Sequence, residues 1–241
     1  MAYNIQTEKE TLKGHIVYLS TVVEENLECA IRALIEKDPD IAHQVMQTDR
    51  CEVDYLEIDI EHECLRIMAL HQPVASDLRF LVTVLKVNND LERIGDLASK
   101  IADKVLLLYK ADPGRFMSES MQVPEMFQGM FDKTLWMFKQ SIEAFINEDT
   151  DLAYKVCLAD DEVDLAKRSI YTELENIIMK DPAQQVYLAK LLSVARSTER
   201  IADHCTNICE DIIYMAQGKI VRHTGLERRQ VTNDRKQEAG S

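Results

Sequence analysis

The residues Glu92-Arg93-Ile94-Gly95-Asp96 return as Glu199-Arg200-Ile201-Ala202-Asp203, 107 positions later. Each phrase sits deep in a long stretch of helix-forming residues without Pro. In a helix, positions four apart lie one turn apart on the same face, so each phrase stacks two carboxylates. Like charges held that close repel, which costs stability unless a cation or a partner compensates. The match extends further, because Asp103 and Glu210 each stand eleven residues after the first Glu. Offsets of 0, 4 and 11 fall in a strip about 40° wide. The apolar stripe of the last helix (Leu191, Ala195, Thr198, Ala202, Cys205, Cys209) runs roughly a quarter-turn away. The acids therefore flank the core, at a groove where the helix meets its neighbours. The preceding helix of each unit offers further oxygen ligands: Asp54 in the first, Asp160 and Asp164 in the second.

Carboxylates gathered with few histidines suit hard or borderline cations such as Mg²⁺, Ca²⁺, Mn²⁺ or iron. Carboxylates converging from several helices can bridge more than one ion, as in di-iron bundles. A solvated acidic face, with Arg93 and Arg200 as intrahelical partners, is the ordinary reading of one Glu-Xaa-Xaa-Xaa-Asp. A matched pair inside a repeat favours a metal or ligand site. Other constellations carry less. His62-Glu63 opens like a zinc-protease helix, but Arg66 stands where the second His belongs. His204 follows Asp203 and points about 100° away from it, toward solvent or a neighbouring helix. The Glu-Xaa-Xaa-His of ferritin-like sites is absent, and Asp40…His43 and Asp59…His62 are not matched between the units. No phosphate-cradling Gly-rich loop or nucleophile elbow occurs. Met68, Met126, Met130, Met137 and Met179 fall at helical spacing and read as core.

The elements that must position these acids are legible from periodicity and punctuation. With 7 Gly and 5 Pro in 241 residues, 46% hydrophobic and 29% charged, the chain leans helical and soluble. Apolar spacings of three and four predict helices near 8–37, 39–71, 74–110, 125–147, 150–180 and 183–217. Asp38-Pro39 supplies an N-cap and a first-turn Pro. Residues 111–124, with Asp112-Pro113-Gly114 and Pro124, read as a linker. Helices of this length, about 40 to 50 Å, joined by short turns imply antiparallel neighbours in a bundle.

The halves repeat. Ile31, Asp38, Asp40, Ala42, Val45 and Asp49 recur 111 positions later as Ile142, Asp149, Asp151, Ala153, Val156 and Asp160. Glu52-Val53-Asp54 recurs at 110 as Glu162-Val163-Asp164, and Pro73 at 109 as Pro182. The falling offset implies a few short length differences in a collinear repeat. The fold is all-α, with two tandem three-helix bundles over 1–110 and 125–217. The polar residues 218–241 read as a tail, mobile from Val221 onward.

Charge and cysteine content narrow the function. Acids outnumber bases 42 to 28, a net charge of -14, which argues against nucleic acid and anionic lipid and fits cations or a basic partner. The N-terminus lacks an apolar segment of secretory type, and no run reaches the roughly 18 to 20 residues of a membrane span. The six cysteines include no Cys-Xaa-Xaa-Cys. They read as buried free thiols in a reducing cytosol, and a soft-metal role for Cys205 and Cys209 is the lesser alternative.

These motifs, with Gln72-Pro73-Val74-Ala75-Ser76-Asp77-Leu78-Arg79, Asp90-Leu91-Glu92 and the closing Arg222-His223-Thr224-Gly225, resemble the PhoU family over essentially the whole chain. The resemblance implies a cytoplasmic, non-enzymatic negative regulator of phosphate uptake and the phosphate regulon. Its implied partners are the ATPase subunit of the phosphate ABC transporter, the sensor histidine kinase of the regulon and a second copy in a homodimer. It implies a divalent or multinuclear metal (iron, zinc, manganese or magnesium) held by Glu92, Asp96, Glu199 and Asp203, with Asp54 and Asp164 from neighbouring helices. Ala202 in place of Gly95 is the one departure, minor if that position only permits close helix approach.

Two other functions compete. A metal-dependent oxidase or hydrolase would need an open coordination position and a general base, for which His204 is the sole candidate. A metal-free helical adaptor would use the acidic strips to hold a basic partner.

Overall fold

A computed structural model of the chain describes residues 5–118 and 121–221. Its helices are α1 (Ile5–Glu36), α2 (Pro39–Thr48), α3 (Asp54–His71), α4 (Ala75–Ala111), the single turn α5 (Pro113–Phe116), α6 (Met126–Asn147), α7 (Thr150–Lys180) and α8 (Gln185–Gln217). A π-helical turn, Asp49–Val53, joins α2 to α3, and a 3₁₀ turn, Pro182–Gln184, precedes α8. No strand occurs among the described residues. The first bundle is α1, the α2–α3 rod and α4; the second is α6, α7 and α8.

The punctuation residues act in register in both halves. Asp38 accepts backbone N–H bonds from Asp40 and Ile41 at 2.8 and 3.1 Å, and Asp149 accepts one from Leu152 at 3.0 Å. Such caps are worth about 1 kcal/mol each. The helices before them also end alike. Lys37 and Glu148 both take left-handed backbone, with φ of 58° and 53°. The following N–H groups, of Asp38 and Asp149, close back onto the carbonyls of Ala33 and Ala144 at 2.9 and 3.0 Å.

The repeat offset changes from 111 at Asp49/Asp160 to 110 at Glu52/Glu162, so the first unit has one extra residue there. The π turn takes up that residue, whereas α7 runs unbroken through the equivalent position. One residue inserted into an α-helix is what a π-bulge accommodates.

Both units share one apolar core. α4 packs against α8, and α1 against α6, so the two helices bearing the acidic phrases are direct neighbours across the seam between units. Phe127, Phe131, Phe138 and Phe145 are fully buried along α6. Met130 and Met137 belong to the core as expected, but Met126 and Met179 are exposed. Those two sit in the first turn of α6 and the last turn of α7. Val221 is buried, 2% exposed, so the chain is still packed where the tail was expected to begin. The remainder of that tail, with Arg222-His223-Thr224-Gly225, lies outside the described residues. No helix among the described residues is long and apolar enough to cross a membrane.

Candidate metal centres

In the first unit, Glu92 and Asp96 lie one turn apart on α4, both half-buried. Against them comes Asp49 from the π turn, only 7% exposed and accepting a hydrogen bond from Ser99 Oγ at 2.7 Å. The approach is made possible by Gly95. A Cβ built there would meet Asp49 Oδ1 at 2.8 Å and Val53 Cγ1 at 3.1 Å. Burial pushes the Asp49 carboxyl above the ordinary range, and the charges of Asp96 and Asp54 add to the push. Glu92 is raised by burial first, then by Asp96, Glu57 and Asp54, with Arg93 opposing. Glu57 on α3 is raised by burial, Glu61 and Asp54. Five acids, Asp49, Asp54, Glu57, Glu92 and Asp96, thus form one electrostatic group. Its neutralising charges are Arg93, 3.2 Å from Glu92 and 3.4 Å from Asp96, and Lys100, 3.4 Å from Asp96.

The second unit repeats this with Asp160 and Asp164 of α7 and Glu199 and Asp203 of α8. Burial pushes Asp160 up to about 7, helped by Asp203, Asp164, Asp161 and Glu199. Partial burial and the charges of Glu199 and Asp164 also raise the more exposed Asp203. Here a lysine stands inside the group. Lys167 Nζ is 2.6 Å from Glu199 Oε1 and 3.6 Å from Asp164 Oδ1. Burial alone would lower the Lys167 ammonium, but its bond to Glu199 and the two carboxylate charges raise it overall. Arg168 reaches Asp164 at 3.5 Å. At the repeat offset of 110, Lys167 corresponds to Glu57. One unit carries an acid where the other carries a resident cation.

The expected residues are therefore placed as follows. Glu92, Asp96 and Asp54 join one group, and Glu199, Asp203 and Asp164 the other. Asp103 pairs with its neighbour Lys104 at 2.8 Å. His204 turns to the neighbouring helix, its Nδ1 2.8 Å from Asp90 Oδ1 of α4. Asp49 and Glu57 were not among the sequence candidates, although Asp49 is the repeat partner of Asp160, which was. Of the thiols, Cys64, Cys157, Cys205 and Cys209 are buried as expected, while Cys29 is half-buried and Cys51, in the π turn, is exposed.

The donor chemistry fits a hard or borderline cation: oxygen-only groups, electrostatically unfavourable, with acids from two packed helices in each. As the side chains stand, no three His, Cys, Asp or Glu among the described residues are gathered closely enough to hold a metal ion. Arginine and lysine partners engage those oxygens instead.

The sequence profile of the PhoU domain matches twice, over residues 16–105 and 127–212. The chain belongs to the PhoU family. Each matched stretch contains one of the two acidic groups. The chain is 35% identical over 228 residues to the phosphate-specific transport system accessory protein PhoU homolog of Pseudomonas putida, covering 95% of this chain and 86% of that one. It is 33% identical over 218 residues to the phosphate-specific transport system accessory protein PhoU of Escherichia coli K12, covering 90% and 87%. The crystal structure of PhoU from Pseudomonas aeruginosa superposes with a TM-score of 0.82 at 32% identity, covering 90% of this chain and all of that one. The phosphate transport system regulatory protein PhoU from Streptococcus pneumoniae superposes at 0.81 with 28% identity, covering 90% and 99%. The PhoU fold and its two-unit organisation thus extend over most of the chain.

Proposed function

We propose that this chain is a non-enzymatic negative regulator of phosphate uptake and of the phosphate regulon, with metal as the ligand of its acidic groups. The observation that carries the reading is the near full-length likeness to phosphate-transport accessory proteins, with one acidic group inside each of the two matched PhoU domain stretches. The proposed partners are the ATPase subunit of a phosphate ABC transporter and the sensor histidine kinase of the regulon. The proposed active form is a cytoplasmic homodimer. The family likeness supports regulation more than catalysis, since the relatives it matches are named as accessory proteins of phosphate transport.

In the first unit the holding residues would be Glu92, Asp96, Asp54 and Asp49; in the second, Glu199, Asp203, Asp164 and Asp160. Bound metal (iron, zinc, manganese or magnesium) would supply charge neutralisation between helices that otherwise repel. The chain's own residues set the terms. Ser99 orients Asp49, Gly95 lets the π turn approach, and Arg93, Lys100 and Lys167 occupy the carboxylates until displaced.

The test has two parts. Protein purified without chelator or affinity tag is analysed for metal beside the folded variant Glu92→Gln, Asp96→Asn, Glu199→Gln, Asp203→Asn. Near-stoichiometric metal that vanishes in the variant supports the sites, and no metal in either after adding Mn²⁺, Fe²⁺ or Zn²⁺ removes them. Separately, the chain is expressed in a bacterium lacking its own PhoU and carrying a phosphate-starvation reporter. Repression in high phosphate is expected; a reporter that stays on with unchanged phosphate uptake overturns the regulator reading.

A further inference from the structure

The outer face of α3 does not look like a solvated helix. Tyr55, Ile58, His62, Leu65 and Ala69 follow one another at spacings of three, four, three and four, the heptad seam of a helix that packs against another helix. On a helical wheel this seam lies almost opposite the buried line Val53, Ile60, Cys64, Ile67, so α3 has an apolar stripe on each side. All five seam residues are exposed, Tyr55 at 68%, Ile58 at 49% and Leu65 at 50%. The second unit provides an internal control at the offset of 110. There the same face of α7 reads Leu165, Arg168, Thr172, Glu175, Met179, a mixed solvated surface. One fold position, built twice, is interrupted by Arg168, Thr172 and Glu175 in one copy and mostly apolar, with His62 at its centre, in the other.

The margins of the seam indicate what covers it. Asp54 and Glu61 border one side and Asp59 the other, all exposed. Arg66 of α3 is engaged by Glu63 at 2.6 Å and Glu8 at 3.1 Å, and Arg93 of α4 by Glu92 at 3.2 Å and Asp96 at 3.4 Å. In paired helices the charges beside the seam select the partner. A second copy pairing through this same face would bring the same acidic margins against these. We infer that the outer face of α3 docks an amphipathic helix of another protein, with apolar residues at heptad spacing and Lys or Arg beside them. Asp54 is shared with the first acidic group. The seam residues themselves, and the flanking Glu61 and Asp59, are not among the proposed metal-holding residues, and the peptide titrations use chelator-stripped protein.

The probe is a pair of helical peptides about four heptads long, with Leu at both seam positions and either Lys or Glu at the flanking positions. Each is titrated by fluorescence anisotropy against the full chain and two variants. Ile58→Lys/Leu65→Lys alters the α3 seam, and Leu165→Lys/Met179→Lys alters the matching face of α7. Thermal melts verify that both fold, and Ile58→Ser/Leu65→Ser replaces the first pair should it unfold. We expect the Lys peptide to bind and the Glu peptide to bind at least about tenfold more weakly. The α3 variant loses at least about tenfold and the α7 variant loses nothing. Hydrogen exchange should slow in residues 54–71 when the Lys peptide is present. Equal binding by both variants, or no preference between peptides, overturns the inference. Self-association in sedimentation that the α3 variant abolishes, without Lys-peptide binding, also overturns it by giving the seam to a second copy.

Discussion

Gly95 and Asp49 are so close that a Cβ on Gly95 would fall 2.8 Å from Asp49 Oδ1. Two features of the first unit meet at this contact: the extra residue taken up by the π turn and the absence of a side chain on α4. In the second unit Ala202 occupies the equivalent position and is fully buried, beside an α7 that has no π turn. The Gly-to-Ala difference is thus a packing requirement of one unit and not a neutral exchange.

Gly95→Ala tests the contact by opposing two effects. Ala gains about 1 kcal/mol of helix propensity over Gly. The clash, with Asp49 held by Ser99 and Val53 at 3.1 Å, costs roughly 1–3 kcal/mol. Urea unfolding should show net destabilisation of about 1 kcal/mol, together with weaker cation binding by the first unit. A more stable variant would mean that the π turn yields freely.

The exchange of Glu57 for Lys167 predicts unequal cation affinity. Lys167→Glu gives the second group the acid content of the first and removes the ammonium 2.6 Å from Glu199. In titrations of chelator-stripped protein with Mn²⁺, its affinity at the second group should rise at least about tenfold. The reverse exchange, Glu57→Lys, should weaken the first group. Unchanged isotherms for both would show that Lys167 swings aside without cost.

Stability should depend on pH through the second group. Asp160 is pushed from 3.8 to about 7, so between those values the folded protein binds more protons than the unfolded chain. Stability from this group therefore rises as pH falls through 7 toward 4. Allowing for solvent screening, Asp160→Asn in metal-free protein should stabilise by roughly 1–2 kcal/mol at about pH 8 and much less at about pH 4.5. Urea midpoints at the two pH values provide the measurement. Loss of stability at pH 8 would reverse the sign argued here.

Glu148 holds left-handed backbone at φ 53° in the turn between α6 and α7. That conformation costs about 1–2 kcal/mol for a residue bearing Cβ, and its ion pair to Lys13 is long at 3.9 Å. Glu148→Gly should raise stability by about 0.5–1 kcal/mol, since Gly also frees the unfolded chain. A lower urea midpoint would show that the turn depends on the Glu side chain.

The sequence by itself determined the helices, their caps, the duplicated unit and the identity of most of the acids. These are local properties: apolar period, Asp and Pro at helix starts, and a repeat visible by subtraction. It also contained the count of one extra residue before Glu52, but not the form that residue takes. Only the tertiary structure decided that the insertion becomes a π turn delivering Asp49 to Gly95, and that Lys167 enters one acidic group while Glu57 enters the other. Packing likewise turned His204 toward Asp90 and left the α3 seam uncovered. Each of these depends on how closely two helices approach and which side chains then share one low-dielectric space. That is a property of the packed pair, which the period of either helix alone does not specify.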